Sequence, residues 1–418
     1  MKTQHVSASN GSGLCPQRLR RITEHLERQY IEPGKLVGCQ TLVARRGELA
    51  YVSSLGQMDR ERSKPMREDT IFRIYSMTKP ITSVALMMLY EQGLFQLNDP
   101  VHRIIPQWRD LQVYVAGEAI AMETRPAERP ITFRHLLSHT GGLGYGGGLL
   151  PSGKLHPVDE AYRAQGVQHP ADTLQTFVDK LARVPLRYTP GQHFIYSCST
   201  DVCGHLVEAL SGQTLDVFMR ERIFEPLGMR DTAFSITPDK LDRFAAGYQR
   251  AAGKTLELVD DPAASLFART PAFLSGGGGL LSTLHDYYRF CEMLRRGGEL
   301  DGARLLGPRT LRLMTMNHLP GSAHLPAGTD LAQMAVGTFS ETSNEGVGFG
   351  LGFATTLNEV AAGCFGGGDF FWGGFASTLF WVDPREDLVV LFLTQMIPSS
   401  TFNIRGQLKS LIYSAIID

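Results

Sequence analysis

The sequence predicts an α/β protein in which both ends of the chain build one domain and a mostly helical lobe is inserted between them. Strand-like runs occur near both ends, helical patterns dominate the middle, and one strongly apolar helix follows the first strands. We therefore expect an α/β domain of residues 16–95 and 275–418, an inserted lobe of residues 96–274, and a polar extension of residues 1–15.

The first hundred residues predict a helix, a hairpin and a second helix. Residues 16–30 have apolar side chains three or four positions apart, as in an amphipathic helix. Residues 38–44 and 49–55 are strand-like and are joined by a short turn that contains a glycine, which indicates a hairpin. A helix then runs to about Gln92 and is closed by Gly93. Its interior is apolar on nearly every face, so we expect it to lie in the middle of the protein.

The remaining elements divide between the lobe and the last third of the chain. Within the lobe, residues 174–181 and 202–210 are the clearest helices. Six glycines within residues 141–148 predict a loop that is able to move. Beyond residue 274 we predict a helix, two strands joined by a tight turn, and a closing helix, at residues 284–294, 377–382, 388–395 and 404–417.

Composition excludes several classes of partner. The chain has 418 residues, with 41 basic and 42 acidic side chains, so no charge excess favours nucleic acid or an anionic membrane. No apolar stretch reaches transmembrane length, and the start of the chain lacks a signal-peptide core. The spacing of the six cysteines fits neither a zinc site nor a disulfide framework. We therefore expect a soluble, reduced, cytoplasmic protein.

Ser76 and Lys79 form the first candidate catalytic pair. Pro80 is accommodated only in the first turn of a helix, so the apolar helix must begin close to Ser76. The unpaired N–H groups at a helix start stabilise a developing oxyanion, and Lys79 lies on the same face one turn later. An uncharged Lys79 amine would take the proton of the Ser76 hydroxyl. A Ser-x-x-Lys tetrad is a weak signal alone, and the alternative is a capping serine with a surface lysine.

Four further motifs follow this tetrad along the chain. The motifs are residues 76–79 (SMTK), 135–143 (HLLSHTGGL), 190–197 (PGQHFIYS), 277–283 (GGGLLST) and 372–374 (WGG). Their order resembles that of the class C β-lactamase superfamily of serine hydrolases, and it is most similar to the carboxylesterase branch called family VIII. The resemblance extends from about residue 18 to the end of the chain. It implies a penicillin-binding-protein-like fold, with an antiparallel sheet flanked by helices and an inserted helical lobe.

The resemblance also implies the remaining catalytic groups. Tyr196 matches the tyrosine of the family's Tyr-x-Asn motif and would exchange protons with Ser76, Lys79 and the leaving alkoxide. The backbone N–H groups of Ser76 and Phe375 would form the oxyanion hole. The alternative for Tyr196 is a packing tyrosine with a satisfied hydroxyl group.

Two departures from the family pattern bear on the substrate. Cys198 stands where the asparagine is expected, and we interpret it as a packing residue rather than a second nucleophile. Trp372, Gly373 and Gly374 stand where relatives have Lys-Thr-Gly, so the cleft lacks the lysine that holds the carboxylate of β-lactams. A buried packing role is the alternative for Trp372.

Together these departures predict a pocket for small apolar esters. Trp372, Gly373 and Gly374 would contact the substrate, together with Tyr145 on the glycine loop and Phe371. The leading hypothesis is a serine carboxylesterase that forms an acyl-enzyme on Ser76. The alternatives are an acyltransferase that uses an alcohol or amine acceptor, a β-lactamase or D-amino-acid peptidase, and a non-catalytic ligand-binding protein.

No cofactor and no metal are expected. His135 and His139, four positions apart, have the spacing of metal ligands on a helix, but no acidic or histidine partner lies in register. We therefore expect histidines of the core or of a turn. No Gly-x-Ser-x-Gly elbow, phosphate loop or dinucleotide fingerprint is present in the sequence.

Overall fold

The computed structural model describes residues 3–6, 10–118, 121–146, 155–251, 255–320 and 345–418. The strands in this part of the chain are β1 (Thr3–Val6), β2 (Gly38–Arg45), β3 (Glu48–Asp59), β4 (Lys64–Pro65), β5 (Ile71–Arg73), β6 (Gln112–Ala116), β7 (Glu123–Pro126), β8 (Gly247–Arg250), β9 (Leu256–Asp260), β10 (Leu281–Thr283), β11 (Glu299–Leu300), β12 (Ala303–Arg304), β13 (Val347–Phe349), β14 (Ala354–Thr356), β15 (Phe370–Gly373), β16 (Leu379–Asp383), β17 (Leu388–Thr394) and β18 (Met396–Ile397). The α-helices are α1 (Pro16–Leu26), α2 (Thr78–Glu91), α3 (Phe133–Leu137), α4 (Pro157–Ala164), α5 (Leu174–Leu181), α6 (Ser199–Ser211), α7 (Leu215–Met219), α8 (Glu225–Leu227), α9 (Leu284–Arg295), α10 (Pro308–Thr315), α11 (Glu359–Ala362) and α12 (Ile404–Tyr413).

An antiparallel sheet built from both ends of the chain dominates the fold. Its strand order is β1-β3-β2-β17-β16-β15-β14-β13, and β4 pairs with β3 off this path. At its centre β17 lies against β2, and every residue of both strands is buried. A strand that is covered on both faces reads as a continuous apolar run, which explains the sequence of β17. The predicted α/β class with an antiparallel sheet flanked by helices is confirmed.

The two faces of the sheet are covered by different helices. On β15, the ring of Phe371 lies against side chains of α12, which packs on α1. Trp372 is opposite Phe380 of β16, and Phe380 contacts Tyr287 of α9. Successive side chains of a strand point to opposite faces of the sheet. Helices α1 and α12 therefore lie on one side of the sheet, and α9 lies on the other.

Helix α2 is the buried helix that the sequence predicts. A short helical turn, Tyr75–Met77, precedes it, and twelve of its fourteen residues are buried. Beyond its end, Gly93 adopts a φ of 76°, a left-handed conformation that glycine takes without strain. Helix α6 packs along α2 and joins it to the inserted residues.

Three sequence expectations differ from the structure. Residues 3–6 extend the sheet as β1, because pairing at an open sheet edge uses the backbone and needs no apolar side chains. The closing helix ends at Tyr413 rather than at residue 417. Residues 96–274 contain the strand pairs β6–β7 and β8–β9, whose short runs lack a clear alternation. The division of the chain at residues 95 and 275 stays a prediction.

Candidate active site

Ser76 lies on the turn that connects β5 to α2. Strand β5 pairs with β10, and the N–H of Ile74 donates to the Leu280 carbonyl at 3.1 Å, so the turn is attached to a second segment of the chain. Tyr75 adopts a φ of 42°, a left-handed conformation that costs free energy for a residue with a side chain. This bend leaves Ser76 partly exposed at the beginning of the buried helix.

Lys79 lies directly beneath Ser76 in the protein interior. The side chain is one helical turn beyond the serine, and only 1% of its surface is exposed. Its Nζ atom is 3.3 Å from Ser76 Oγ and 2.6 Å from the carbonyl oxygen of Gly277, to which it donates a hydrogen bond. The amine is therefore held in place by a backbone acceptor while it faces the serine hydroxyl.

Tyr196 and Tyr145 cover the same amine from the side of the inserted residues. The Nζ atom of Lys79 is 4.6 Å from the centroid of the Tyr196 ring and 5.5 Å from that of Tyr145. The two rings are stacked, with centroids 5.8 Å apart. Burial, together with the charge of Asp201, raises the pKa of Tyr145 well above its usual value. The structure thus brings Ser76, Lys79, Tyr196 and Tyr145 together.

Trp372 completes an aromatic wall beside Tyr196. Its ring centroid lies 5.3 Å from that of Tyr196 and 5.2 Å from that of Phe349, and 5% of the residue surface is exposed. The side chain points from β15 to the face of the sheet that carries the nucleophile. The wall therefore places an aromatic ring at the position where the pattern of class C relatives predicts a lysine.

The end of β15 passes next to the turn that carries Ser76. A Cβ atom at Gly374 would overlap the carbonyl oxygen of Ile74 and the hydroxyl of Thr378, so only glycine permits this approach. Phe375 follows, and its ring meets that of Tyr75 edge-on at 5.9 Å. Within the described part of the chain, the N–H of Phe375 has no hydrogen-bond acceptor. The N–H of Ser76 is in the first turn of a helix, where no intrahelical acceptor exists.

The prediction that Phe371 contacts the substrate is wrong. Its ring lies against the guanidinium of Arg405, 4.8 Å from the centroid, and the amine of Lys409, at 5.3 Å. Both belong to α12, on the face of the sheet opposite Trp372. Adjacent residues on a strand alternate between faces, so Trp372 and Phe371 do not enter the same pocket.

The two histidines of the second motif support the local fold. His135 caps α3, since its Nδ1 accepts a hydrogen bond from the N–H of Thr132 at 3.2 Å. His139 lies beneath the site, with its ring 5.1 Å from Tyr196, and its Nδ1 accepts from the N–H of Ser197 at 3.3 Å. Burial and the charge of Lys79 hold the pKa of His139 well below its usual value. Among the described residues, no group of three potential metal ligands lies together.

Comparison with known proteins places this site in a family. The family model described as "Beta-lactamase" matches residues 23–407. Protein Rv1367c of Mycobacterium tuberculosis is 34% identical over 375 residues, covering 89% of this chain and 88% of the relative. Esterase EstB of Burkholderia gladioli is 32% identical over 382 residues, covering 88% of each chain. The chain belongs to the beta-lactamase family.

Solved structures agree with this membership. The structure described as EstCE1, a hydrolase with promiscuous acyltransferase activity, has a TM-score of 0.76 and 29% sequence identity. The similarity covers 96% of this chain and 99% of EstCE1. The β-lactamase-like fold and the resemblance that the five motifs indicate are confirmed.

Cys198 stands where the resemblance predicts an asparagine, and it is fully buried. Burial and the charge of Asp201 raise the pKa of the Cys198 thiol well above its usual value. A thiol that holds its proton is a poor nucleophile, so its environment agrees with the packing role that the sequence predicts.

Sequence reasoning assigned no role to Asp201, and Gly277 appeared there only as the first residue of the motif 277–283. The carboxylate of Asp201 accepts hydrogen bonds from Ser275 Oγ at 2.6 Å and from the N–H of Gly277 at 2.9 Å. The contact joins segments far apart in the chain, and no local pattern reveals such a pair. The same helix also contains His205 and Glu208, so Asp201 does not stand out in the sequence as an isolated polar residue.

Part of the glycine loop lies beyond the described residues. Residues 141–146 are described, and they include Tyr145, whereas residues 147 and 148 fall outside. Whether the predicted loop acts as a lid therefore stays a prediction. In the part of the chain that the structure describes, no helix has the length and apolar character needed to cross a membrane.

Proposed function

We propose that this protein is a serine carboxylesterase of the family VIII type, which hydrolyses small apolar esters through an acyl-enzyme on Ser76. The observation that carries the proposal is the buried Lys79 amine, which contacts the Ser76 hydroxyl at 3.3 Å and lies under the Tyr196 ring. The predicted enzyme class, a serine hydrolase acting on esters, is confirmed by the esterase and hydrolase relatives.

The acylation step uses the Ser-x-x-Lys pair together with two backbone donors. Lys79, as the uncharged amine, takes the proton of Ser76 while Oγ attacks the ester carbonyl carbon. The carbonyl oxygen then carries negative charge, which the N–H groups of Ser76 and Phe375 stabilise; losing one such donor typically costs about 3 kcal/mol of barrier. Collapse of this intermediate breaks the bond to the alkoxide, which receives a proton through Tyr196 and leaves as the alcohol.

Deacylation repeats the steps of acylation, with water in place of the serine hydroxyl. Water attacks the acyl carbon, and its proton passes to the Tyr196–Lys79 pair, which are adjacent in the structure. The same N–H groups stabilise the second oxyanion, and the departing Ser76 oxygen regains a proton. Acid is released, and no cofactor takes part in any step.

The chemistry of the wall defines the substrate class. The Tyr196 ring lies over the Lys79 amine and contacts Trp372, which contacts Phe349, and Tyr145 stacks on Tyr196. Apolar groups gain free energy when they leave water for such a surface, whereas a carboxylate would lose hydration without a matching cation. Uncharged acyl or alkyl groups are therefore the expected occupants, and β-lactams or D-amino-acid peptides are the poorer substrates.

The decisive test compares three forms of the enzyme on a short-chain nitrophenyl ester. Ser76→Ala should abolish turnover and the mass adduct that a fluorophosphonate leaves on the wild type. Ser83→Ala is the matched control, because Ser83 is a buried serine on the same helix whose hydroxyl has no hydrogen-bond partner in the described structure. Equal turnover by wild type and Ser76→Ala would overturn the esterase proposal and revive a non-catalytic ligand-binding role.

Acyl transfer is the second candidate reaction, and the promiscuous acyltransferase activity in the description of EstCE1 supports it. An alcohol or amine would replace water in the second half of the reaction without a change in the catalytic groups. Product analysis with a nitrophenyl ester and added alcohol separates the two reactions. Free acid as the main product supports hydrolysis, and a new ester as the main product supports transfer.

We also propose a cytoplasmic location and small-molecule substrates without a nucleic-acid or membrane partner. All six cysteines, which the structure describes, are free thiols, as is usual in a reducing compartment. The formal net charge of −1 offers no attraction to polyanions. Fractionation of the native host with an antibody to the protein would test the location.

A further inference from the structure

A buried carboxylate lies on the far side of the catalytic lysine. Asp201, on α6, has none of its surface exposed. Its oxygens accept hydrogen bonds from Ser275 Oγ at 2.6 Å, the N–H of Gly277 at 2.9 Å and Gln168 Nε2 at 3.1 Å. Within the described residues, no arginine or lysine forms an ion pair with it. A buried carboxylate without such a pair is costly, so its presence calls for a physical reason.

One peptide group joins this carboxylate to Lys79. The N–H of Gly277 donates to Asp201, while the carbonyl oxygen of the same residue accepts the hydrogen bond from Lys79 Nζ at 2.6 Å. A Cβ atom at residue 277 would lie 2.7 Å from Asp201 Oδ2, so glycine is required for this close approach. Thr82, one turn beyond Lys79, donates to the neighbouring carbonyl of Gly276 at 2.7 Å. Asp201 therefore fixes the acceptor that orients the lysine.

The charges around this pair are few. Burial raises the pKa of Asp201 above its usual value, and the charge of Lys79 is the largest effect in the opposite direction. The other titratable groups facing them are the phenols of Tyr145 and Tyr196, the thiol of Cys198 and the imidazole of His139. Burial raises the pKa of Tyr145 and of Cys198 and lowers the pKa of His139, so each of these three groups is favoured in its neutral form. The aspartate and the lysine are thus the two charges that respond to each other in this part of the protein.

We propose that Asp201 is a positioning residue for the esterase reaction, which holds the Gly277 carbonyl against Lys79 and balances the ammonium formed when Lys79 takes the Ser76 proton. The inference rests on the proposed function, because it needs Lys79 to act as the base. During acylation the negative charge of Asp201 stabilises the ammonium without any movement of the chain.

The test is the pH dependence of ester turnover in Asp201→Asn. The amide keeps an acceptor for the Gly277 N–H but removes the charge. Without that charge the uncharged amine is present at lower pH, so the acid limb of kcat/KM should move down by about one pH unit. We expect kcat to fall by about tenfold or more at the optimum while KM stays nearly constant, because charge stabilisation in the transition state is lost.

Asp286→Asn provides the matched control. Asp286 is also buried, and it accepts from a backbone N–H at 2.7 Å and from the Thr232 hydroxyl at 3.0 Å, but it has no link to Lys79. The acid limb of kcat/KM in the Asp286→Asn variant should coincide with that of the wild type. An Asp201→Asn enzyme that loses activity equally at every pH, with the acid limb in the wild-type position, would overturn the proposal and leave Asp201 a purely structural residue.

A milder variant covers the case in which Asp201→Asn does not fold. Ser275→Ala removes a donor that lowers the pKa of Asp201, so the carboxylate carries its negative charge less fully. The acid limb should therefore move in the same direction as in Asp201→Asn by a smaller amount; an unmoved limb counts against the proposal. If the enzyme hydrolyses esters through Ser76 but the acid limb of kcat/KM does not move in these variants, only the role of Asp201 is overturned. A wild type without ester turnover overturns the esterase function as well.

Discussion

The Nζ atom of Lys79 lies 4.6 Å from the centroid of the Tyr196 ring. This places a phenol from the inserted residues over the amine of the central helix, and the reaction scheme depends on it. Tyr196→Phe keeps the ring contacts with Tyr145 and Trp372 and removes only the hydroxyl. We expect kcat to fall by about 10²–10⁴-fold with little change in melting temperature, because one proton-transfer group is lost.

Tyr145→Phe is the control for this prediction. Its ring stacks on Tyr196, but we assign its hydroxyl no proton transfer, so kcat should stay close to wild type and only KM should respond. Steady-state kinetics on one ester with both variants provide the comparison. Equal losses of kcat in the two would remove Tyr196 from its proposed role.

Gly374→Ala should separate the strand from the nucleophile turn. The added methyl group would overlap the Ile74 carbonyl and Thr378 hydroxyl, so β15 must shift and the Phe375 N–H must move away from the reacting oxygen. Misplacement of an oxyanion donor costs about 10²-fold in kcat. Gly141→Ala, whose methyl group would meet its nearest atom at 3.6 Å, should keep activity. Wild-type kcat in Gly374→Ala would argue against an oxyanion hole at Phe375.

Trp372→Phe should change chain-length preference. The smaller ring enlarges the space beside Tyr196 and Phe349, so turnover of a longer acyl ester relative to acetate should rise by about tenfold. Trp381→Phe is the matched control, because Trp381 is fully buried on β16 opposite Phe371, on the other face of the sheet. A shift of similar size in both variants would show that Trp372 does not line the acyl pocket.

His135 predicts a dependence of stability on pH. Burial, followed by the charges of Arg129 and Arg134, lowers the pKa of His135 from 6.5 to about 4. Neutral His135 stabilises the fold fully above pH 6.5, and this contribution is lost as the pH falls towards 4 because the unfolded chain takes up the proton first. The loss between pH 7 and pH 5 should be about 2 kcal/mol in the free energy of unfolding.

Urea unfolding at the two pH values measures this effect. His135→Gln should flatten the dependence, whereas His285→Gln, at an exposed histidine, should leave it unchanged. If His135→Gln loses as much stability between pH 7 and pH 5 as wild type, the depressed pKa is not the cause.

The local parts of the site could be predicted from the sequence. Ser76 and Lys79 lie one helical turn apart, and Pro80 determines where that helix begins, so their contact follows from helix geometry. Tyr196 and Trp372 were predicted from the order of the motifs along the chain. In the structure the Tyr196 ring lies over the Lys79 amine, and the Trp372 ring contacts Tyr196. Helices α5 and α9 also agree with their apolar spacing.

Contacts between distant segments could not be predicted in the same way. Nothing in the short run around Asp201 indicates that it meets Gly277, because the contact depends on how α6 packs against α2. Phe371 and Trp372 are neighbours on β15, and successive side chains of a strand point to opposite faces of the sheet. Because Trp372 points into the cleft, Phe371 has to point to the other face, and the prediction did not take this alternation into account. The hairpin β6–β7 was missed because its strands are short and β7 is polar and mostly exposed, as loops are.

The sheet has a consequence for synthesis of the protein on the ribosome. The nucleophile is translated early, but the strand that passes beside it, β15, begins only at Phe370, and central β17 ends at Thr394. A nascent polypeptide arrested before Phe370 carries the serine and its lysine but neither the Phe375 donor nor the central strand β17. Catalytic competence should therefore arise late in translation, and premature termination before Thr394 should yield an inactive product.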